Sequence, residues 1–180
     1  MRSYLPEVKF KVRVRDESIG GDNPYKWQEM TTSSFFAGKR VVLFSLPGAF
    51  TPTCSTFQLP GFEEKYDEIK SLGIDEVYCI SVNDSFVMNA WAKSQNLKNV
   101  KVIPDGSGDF TSGMDMLVEK NNLGFGNRSW RYAVVVNNAA IEEWFVEPGL
   151  EDNHEEDPYG ETSPENVLKY LYAHTDNANS

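Results

Sequence analysis

The chain has 180 residues, 40% hydrophobic and 24% charged, with a formal net charge of −10 and a mean hydropathy of −0.47. Those values describe one globular domain of ordinary size, expected to span 1–180, and exclude disordered and membrane classes. The excess of acid also argues against nucleic-acid and membrane-surface binding, because both polyanions repel it. The apolar run Val41 to Phe44 is too short to cross a bilayer, and the opening MRSYLPEVKFKVRVR has no signal-peptide core, so a cytoplasmic location is expected.

In chain order, VKFKVRV predicts a first strand and KWQEM a short second one. TTSSFFAG reads as a capped helical turn stopped by Gly38. Val41-Val42-Leu43-Phe44 has the unbroken apolar character of a strand buried on both faces, and it runs into PGAFTPTCS, residues 47–55. Leu59, Phe62, Tyr66, Ile69 and Leu72 share one face of a helix that Gly73 ends. Pro60 lies inside that pattern without a backbone donor, which predicts a kink there. EVYCISV, from residue 76, is a second buried strand, leading into a helix over FVMNAWAKSQ. A short strand at Val100 to Ile103, a Pro-Asp-Gly turn, a helical piece near Asp109 to Met116 and a glycine-broken loop at Gly124-Phe125-Gly126 follow. RYAVVV and AIEEWFV form a hairpin around Asn137-Asn138, and SPENVLKYLY is a final amphipathic helix. The alternation predicts an α/β fold with a mixed central sheet flanked by helices on both faces, thioredoxin-like in outline.

Two cysteines, Cys54 and Cys79, can make neither a disulfide framework nor a zinc site, so each is either reactive or packed. Cys54 falls at an expected helix start, where unpaired N–H groups and the positive end of the helix dipole stabilise a thiolate. From composition alone, packing as a small hydrophobe fits as well. Thr51 and Thr53 place hydroxyls within a turn of the sulfur, and Pro47 and Pro52 stiffen the loop, which favours reactivity. Cys79 lies in a strand covered on both sides, where a thiol stays protonated and structural. Thr51 and Phe57 occupy the positions that a Cys-x-x-Cys pair with Cys54 would need, so dithiol exchange within one motif is excluded. The only histidines, His154 and His174, lie in a polar region and read as solvated. Residues 147–165 hold eight acids and no Lys or Arg, which reads as a solvated surface or a steering patch for a basic partner.

PGAFTPTC matches the Pro-x-x-x-Thr-x-x-Cys signature of the peroxiredoxins, thiol peroxidases of thioredoxin fold, and the chain resembles that family. The similarity continues through FSLPGAFTPTCSTFQLPGFEEKYDEIKSLGIDEVYCISVNDSFVMNAWAK, IPDGSGDFTSGMDMLV, GFGNRSWRYAVVV and VEPG. It is strongest for the type-five subgroup, in particular for bacterial members fused to a glutaredoxin domain; this chain ends at Ser180 without one. The resemblance implies that Cys54 is the peroxidatic cysteine, Pro47 and Thr51 its motif partners, and Arg131 the active-site arginine. Thr51, the backbone N–H groups near Thr53 and Cys54, and Arg131 would hold the peroxide oxygens. Without the resemblance Arg131 reads as a surface charge at a strand end, with Arg128 as its competitor. Trp130 is assigned no chemistry. Phe50, Trp91 and Phe125 could line a pocket or a dimer contact, and core packing fits them equally.

The expected activity is reduction of hydrogen peroxide and small organic hydroperoxides, with no metal, haem or flavin cofactor. EDNHEEDPYGETS lacks the further cysteine that type-five relatives use for an internal disulfide. The expected reductant is therefore an external thiol, glutathione, with glutaredoxin as partner and thioredoxin as an alternative. A homodimer is implied by the resemblance alone. The competing reading is a non-enzymatic redox sensor or holdase switched by oxidation of Cys54.

Overall fold

The computed structural model describes residues 1–175. β1 (Lys9–Arg15) and β2 (Tyr25–Thr31) pair antiparallel as a separate two-stranded sheet. α1 (Thr32–Phe36) starts at a reciprocal cap: Thr31 Oγ1 accepts the Ser34 N–H while Ser34 Oγ accepts the Thr31 N–H. It ends before Gly38, whose φ of +70° turns the chain into β3 (Arg40–Ser45). β3 is buried at all six positions, the apolar Val41–Phe44 as expected and Arg40 and Ser45 at its ends as well.

A π-helical turn at Cys54–Gln58 leads into α2 (Leu59–Glu64) and α3 (Tyr66–Ser71). The expected kink at Pro60 takes a different form. The Leu59 N–H reaches back five residues to the Cys54 carbonyl, so the turn widens just before the proline, whose ring would otherwise crowd the preceding turn. A separate break falls at Lys65, between α2 and α3, where ψ rises to 5°.

β4 (Glu76–Ser81), α4 (Ser85–Ser94), β5 (Lys101–Pro104) and α5 (Asp109–Gly113) follow where the pattern placed them. Asp84 caps α4 by accepting the Val87 N–H. β6 (Leu117–Glu119) and β7 (Asn127–Ser129) form a small hairpin around a 3₁₀ turn at Asn121–Leu123. Three-residue strands carry too little periodicity to be seen in sequence. β8 (Tyr132–Asn137) and β9 (Ala140–Val146) make the predicted hairpin. Its turn is at Asn138 and Ala139, both at positive φ, one residue later than expected. α6 (Pro164–Ala173) is capped by Ser163.

The central sheet runs β5-β4-β3-β8-β9, parallel among its first three strands and antiparallel thereafter. It is the mixed, thioredoxin-like sheet the alternation called for. Alternate residues of β3 feed two cores. Val42 and Phe44 join Phe62, Ile69, Trp91, Ala133 and Val135, while Val41 and Leu43 join Phe36, Phe110, Tyr132 and Val134. Phe44 stacks on Phe62 with ring centroids 4.1 Å apart, fixing the helical segment that begins at Cys54 against the sheet. No helix among the described residues is long and apolar enough to cross a membrane.

Candidate active site

Beyond β3 the chain is held from two sides. Asn83, just past β4, accepts the Ala49 N–H at 3.0 Å and the Ser81 hydroxyl at 2.6 Å. From the other side Arg128 donates to the Pro47 carbonyl at 3.1 Å and to the Phe125 carbonyl at 3.2 Å, with its guanidinium over the Phe125 ring. Gly48 permits that approach, since a Cβ there would collide with Arg128 Nη1. Phe50 takes a left-handed backbone, φ +65°, and its ring is exposed, so it neither packs in the core nor lines the cavity beside Cys54. The Thr51 carbonyl accepts the Ser55 N–H at 3.0 Å, which makes Pro52 the first helical residue and Cys54 the third. The N–H groups of Thr53 and Cys54 therefore lie in the first turn, beyond reach of any intrahelical acceptor. Trp91, buried, donates from Nε1 to Ser55 Oγ at 2.9 Å and pins the same turn from behind.

Cys54 is fully buried. Arg131, the residue before β8, points Nη1 at its sulfur from 3.4 Å and is itself 1% exposed. The same nitrogen donates to Gln58 Oε1, and Nη2 donates to Asp157 Oδ1 at 2.7 Å. Nε has no hydrogen-bond partner among the described residues. Burial alone would lower the Arg131 pKa, but the negative charges of a Cys54 thiolate and of Asp157 outweigh it and hold the value above the ordinary one. The guanidinium is thus a fixed cation held between the Cys54 sulfur and the Asp157 carboxylate. Gln58 passes the link on: its Nε2 donates to Thr162 Oγ1 at 3.2 Å, and that hydroxyl donates to Glu147 Oε2 at 2.7 Å. Glu147 also accepts the backbone N–H groups of Gly160, Glu161 and Thr162.

A cavity of about 370 Å³ adjoins this turn, lined among others by Pro47, Thr51, Thr53, Lys120, Phe125 and His154. A larger groove of about 600 Å³, between α3 and α6, shares none of the residues around Cys54. The expected residues Cys54, Thr51, Pro47, Thr53 and Arg131 therefore converge on one place, with three differences from the sequence reading. The sulfur lies beneath the cavity rather than open to it. The Thr51 hydroxyl, expected only to hold a peroxide oxygen, is itself anchored by donating to the Gly48 carbonyl at 2.7 Å, which leaves its oxygen free to accept. The acidic segment is not simply a solvated loop, since Asp157 pairs with Arg131 and Glu147 is 2% exposed.

His154, expected in solvent, stands edge-on to Trp130 at 5.4 Å and bonds Glu151 at 2.7 Å. Arg128, the competing arginine, braces the loop rather than the sulfur. Cys79, on β4, is buried as expected, and burial pushes its thiol well above the ordinary pKa, with the charge at Cys54 adding and Arg131 opposing. Sequence reasoning missed Gln58, Asp157, Thr162 and Lys120. Gln58 alone carried a signal, four residues after Cys54 on the same helical face.

A buried thiol against a buried guanidinium, at a helix start on a thioredoxin-like sheet, defines a thiol-based oxidoreductase. A family model described as Redoxin matches residues 22–161. A peroxiredoxin of Rhizobium etli is 65% identical over 96% of this chain and 97% of its own length. The hybrid peroxiredoxin hyPrx5 of Haemophilus influenzae is 46% identical over 93% of this chain and 64% of its own. The crystal structure of a Plasmodium falciparum antioxidant protein, a 1-Cys peroxiredoxin, superposes with a TM-score of 0.88 at 39% identity, covering 97% of this chain and all of that one. The chain belongs to the peroxiredoxin family, resembling its type-five members, and is a thiol peroxidase.

Proposed function

We propose that Cys54 is the peroxidatic residue and that an external thiol, glutathione with a separate glutaredoxin, returns it to the reduced state. The observation that carries the reading is the 3.4 Å contact between Cys54 Sγ and the buried Arg131 guanidinium. The Cys54 thiolate attacks one oxygen of ROOH; the S–O bond forms as the O–O bond breaks, sulfur loses two electrons, and RO⁻ departs to take a proton. Arg131 and the free N–H groups of Thr53 and Cys54 stabilise the charge passing from sulfur to the departing oxygen. Thr51 Oγ1, already donating to Gly48, accepts a hydrogen bond from the hydroperoxide O–H, whose hydrogen stays on the oxygen that sulfur takes up. Pro47 and Phe125 keep water from the reacting atoms.

The sulfenic acid then reacts with one thiol to give a mixed disulfide and water, and a second thiol releases free Cys54 and a disulfide. Cys79 is a poor internal partner because its buried thiol stays protonated. The 1-Cys description of the Plasmodium relative supports a single working cysteine, and the hybrid nature of the Haemophilus relative is in keeping with a glutaredoxin partner. The reading includes no resident metal or organic cofactor, a cytoplasmic location and a homodimer.

Non-reducing mass spectrometry after one equivalent of hydrogen peroxide and then glutathione tests it. The expected species is Cys54 carrying one glutathione; a Cys54–Cys79 bond refutes the one-cysteine route. A peroxidase assay of wild type, Cys54→Ser and Cys79→Ser with the glutathione–glutaredoxin and thioredoxin systems side by side identifies the reductant. Activity supported by thioredoxin alone overturns the choice of glutathione.

A further inference from the structure

Lys120 follows β6, its backbone N–H bonded to the Gly126 carbonyl at 2.8 Å and its own carbonyl accepting the Leu123 and Phe125 N–H groups. The residue is 3% exposed. Lysine is almost never buried to this degree without a partner, because its ammonium must trade water for hydrogen-bond acceptors. Yet no hydrogen bond or ion pair joins Nζ to any described residue. The ammonium lies over the Trp130 ring at 5.3 Å, and Trp130 is held by its Nε1 bond to the Glu147 carbonyl at 2.8 Å. It lines the cavity beside Cys54, together with Thr51 and Thr53. Burial lowers its pKa; Asp157 and the Cys54 thiolate oppose that, and Arg131 adds to it. A largely buried cation with unused donors, lining the space a reactant must enter, is a site awaiting an anion.

We propose that Lys120 is a carboxylate-binding subsite of the active-site cavity, reading a carboxylate on a reactant that approaches Cys54. Two sources share that chemistry: the reducing thiol and a carboxylated hydroperoxide. Glu155 and Glu156 line the same cavity but are exposed, so water screens them, and Asp157 is already paired with Arg131, whereas Lys120 acts where screening is weak. The two signs together suit a zwitterion, its carboxylate on Lys120 and its ammonium at the acidic rim. For the thiol source the inference rests on the external-thiol reading above.

The test uses matched pairs that differ only by esterification, in the two half-reactions separately. In the reductive arm, pre-oxidised protein is reduced by glutathione or its glycyl ethyl ester, and by 3-mercaptopropionate or its methyl ester. In the oxidative arm, reduced protein reacts with 4-hydroperoxy-4-methylpentanoate or its methyl ester. One charge-assisted hydrogen bond corresponds to about a tenfold change in rate preference. Lys120→Met is therefore expected to lower the acid-to-ester rate ratio about tenfold in at least one arm, and Lys120→Arg to preserve it. A fall in the reductive arm assigns the subsite to the thiol, and a fall in the oxidative arm to the peroxide. Ratios unchanged in both arms, or acid and ester slowed equally, overturn the proposal. If glutathione fails to reduce wild-type protein while 3-mercaptopropionate succeeds, the glutathione reading falls, and the subsite is judged on the 3-mercaptopropionate pair.

Discussion

Replacing Arg131 by methionine removes the guanidinium while keeping an unbranched side chain of similar reach. At 3.4 Å from Sγ, a unit charge interacts with a thiolate by about 5 kcal/mol when the effective dielectric constant is about 20. Only part of that reaches the rate, because Asp157 already draws on the same cation and water can follow the smaller side chain. A half share, about 2–3 kcal/mol, corresponds to a roughly 30- to 150-fold loss in the rate constant with hydrogen peroxide. Stopped-flow tryptophan fluorescence under single-turnover conditions reads it directly, since Trp91 bonds the residue after Cys54. Arg131→Lys should fall between, as one ammonium cannot serve Cys54, Gln58 and Asp157 together. The double variant Arg131→Met/Asp157→Asn separates the lost cation from the stranded carboxylate. A loss below about threefold in Arg131→Met refutes the electrostatic role, and so does full recovery in the double variant.

Glu147→Gln should leave the Gly160–Thr162 turn with one accepting oxygen in place of two; a destabilisation of about 2 kcal/mol and faster proteolysis within 155–160 are expected. Unchanged urea unfolding would show that the clamp contributes nothing. Cys79→Ala removes a buried sulfur from the core beneath the site and should cost about 1 kcal/mol in urea unfolding, while turnover with an external thiol persists. Loss of turnover would place Cys79 in the cycle. Glu76 is buried, which alone would raise its pKa, yet bonds from Lys101, Val77 N–H and the Tyr66 hydroxyl bring it below the ordinary value. A depressed carboxylate contributes stability that is present above its unfolded value of about 4.3 and lost as pH falls through the lower folded value. The stability advantage of wild type over Glu76→Gln should thus be complete at pH 6 and shrink on acidification, and a difference independent of pH counts against these bonds.

Periodicity and punctuation are local properties, and they were enough for the sheet, the hairpin and the helices, because strands such as β3 and β4 can be buried only one way. The same holds for the signature around Cys54: proline, threonine and cysteine positions within eight residues report the loop and the helix start directly. The sequence also marked Arg131, but only through resemblance, since nothing near it in the chain distinguishes it from Arg128. Tertiary structure made that choice by ending β7 so that Arg128 braces Pro47 while Arg131 turns beneath the sheet end toward Cys54. It likewise recruited Asp157 and Glu147 from a segment whose composition read as a solvated surface or a steering patch, and it buried Lys120. Charge in a sequence states a valence. Whether that charge is screened, paired or left seeking a partner depends on burial, which residues far apart in the chain create together.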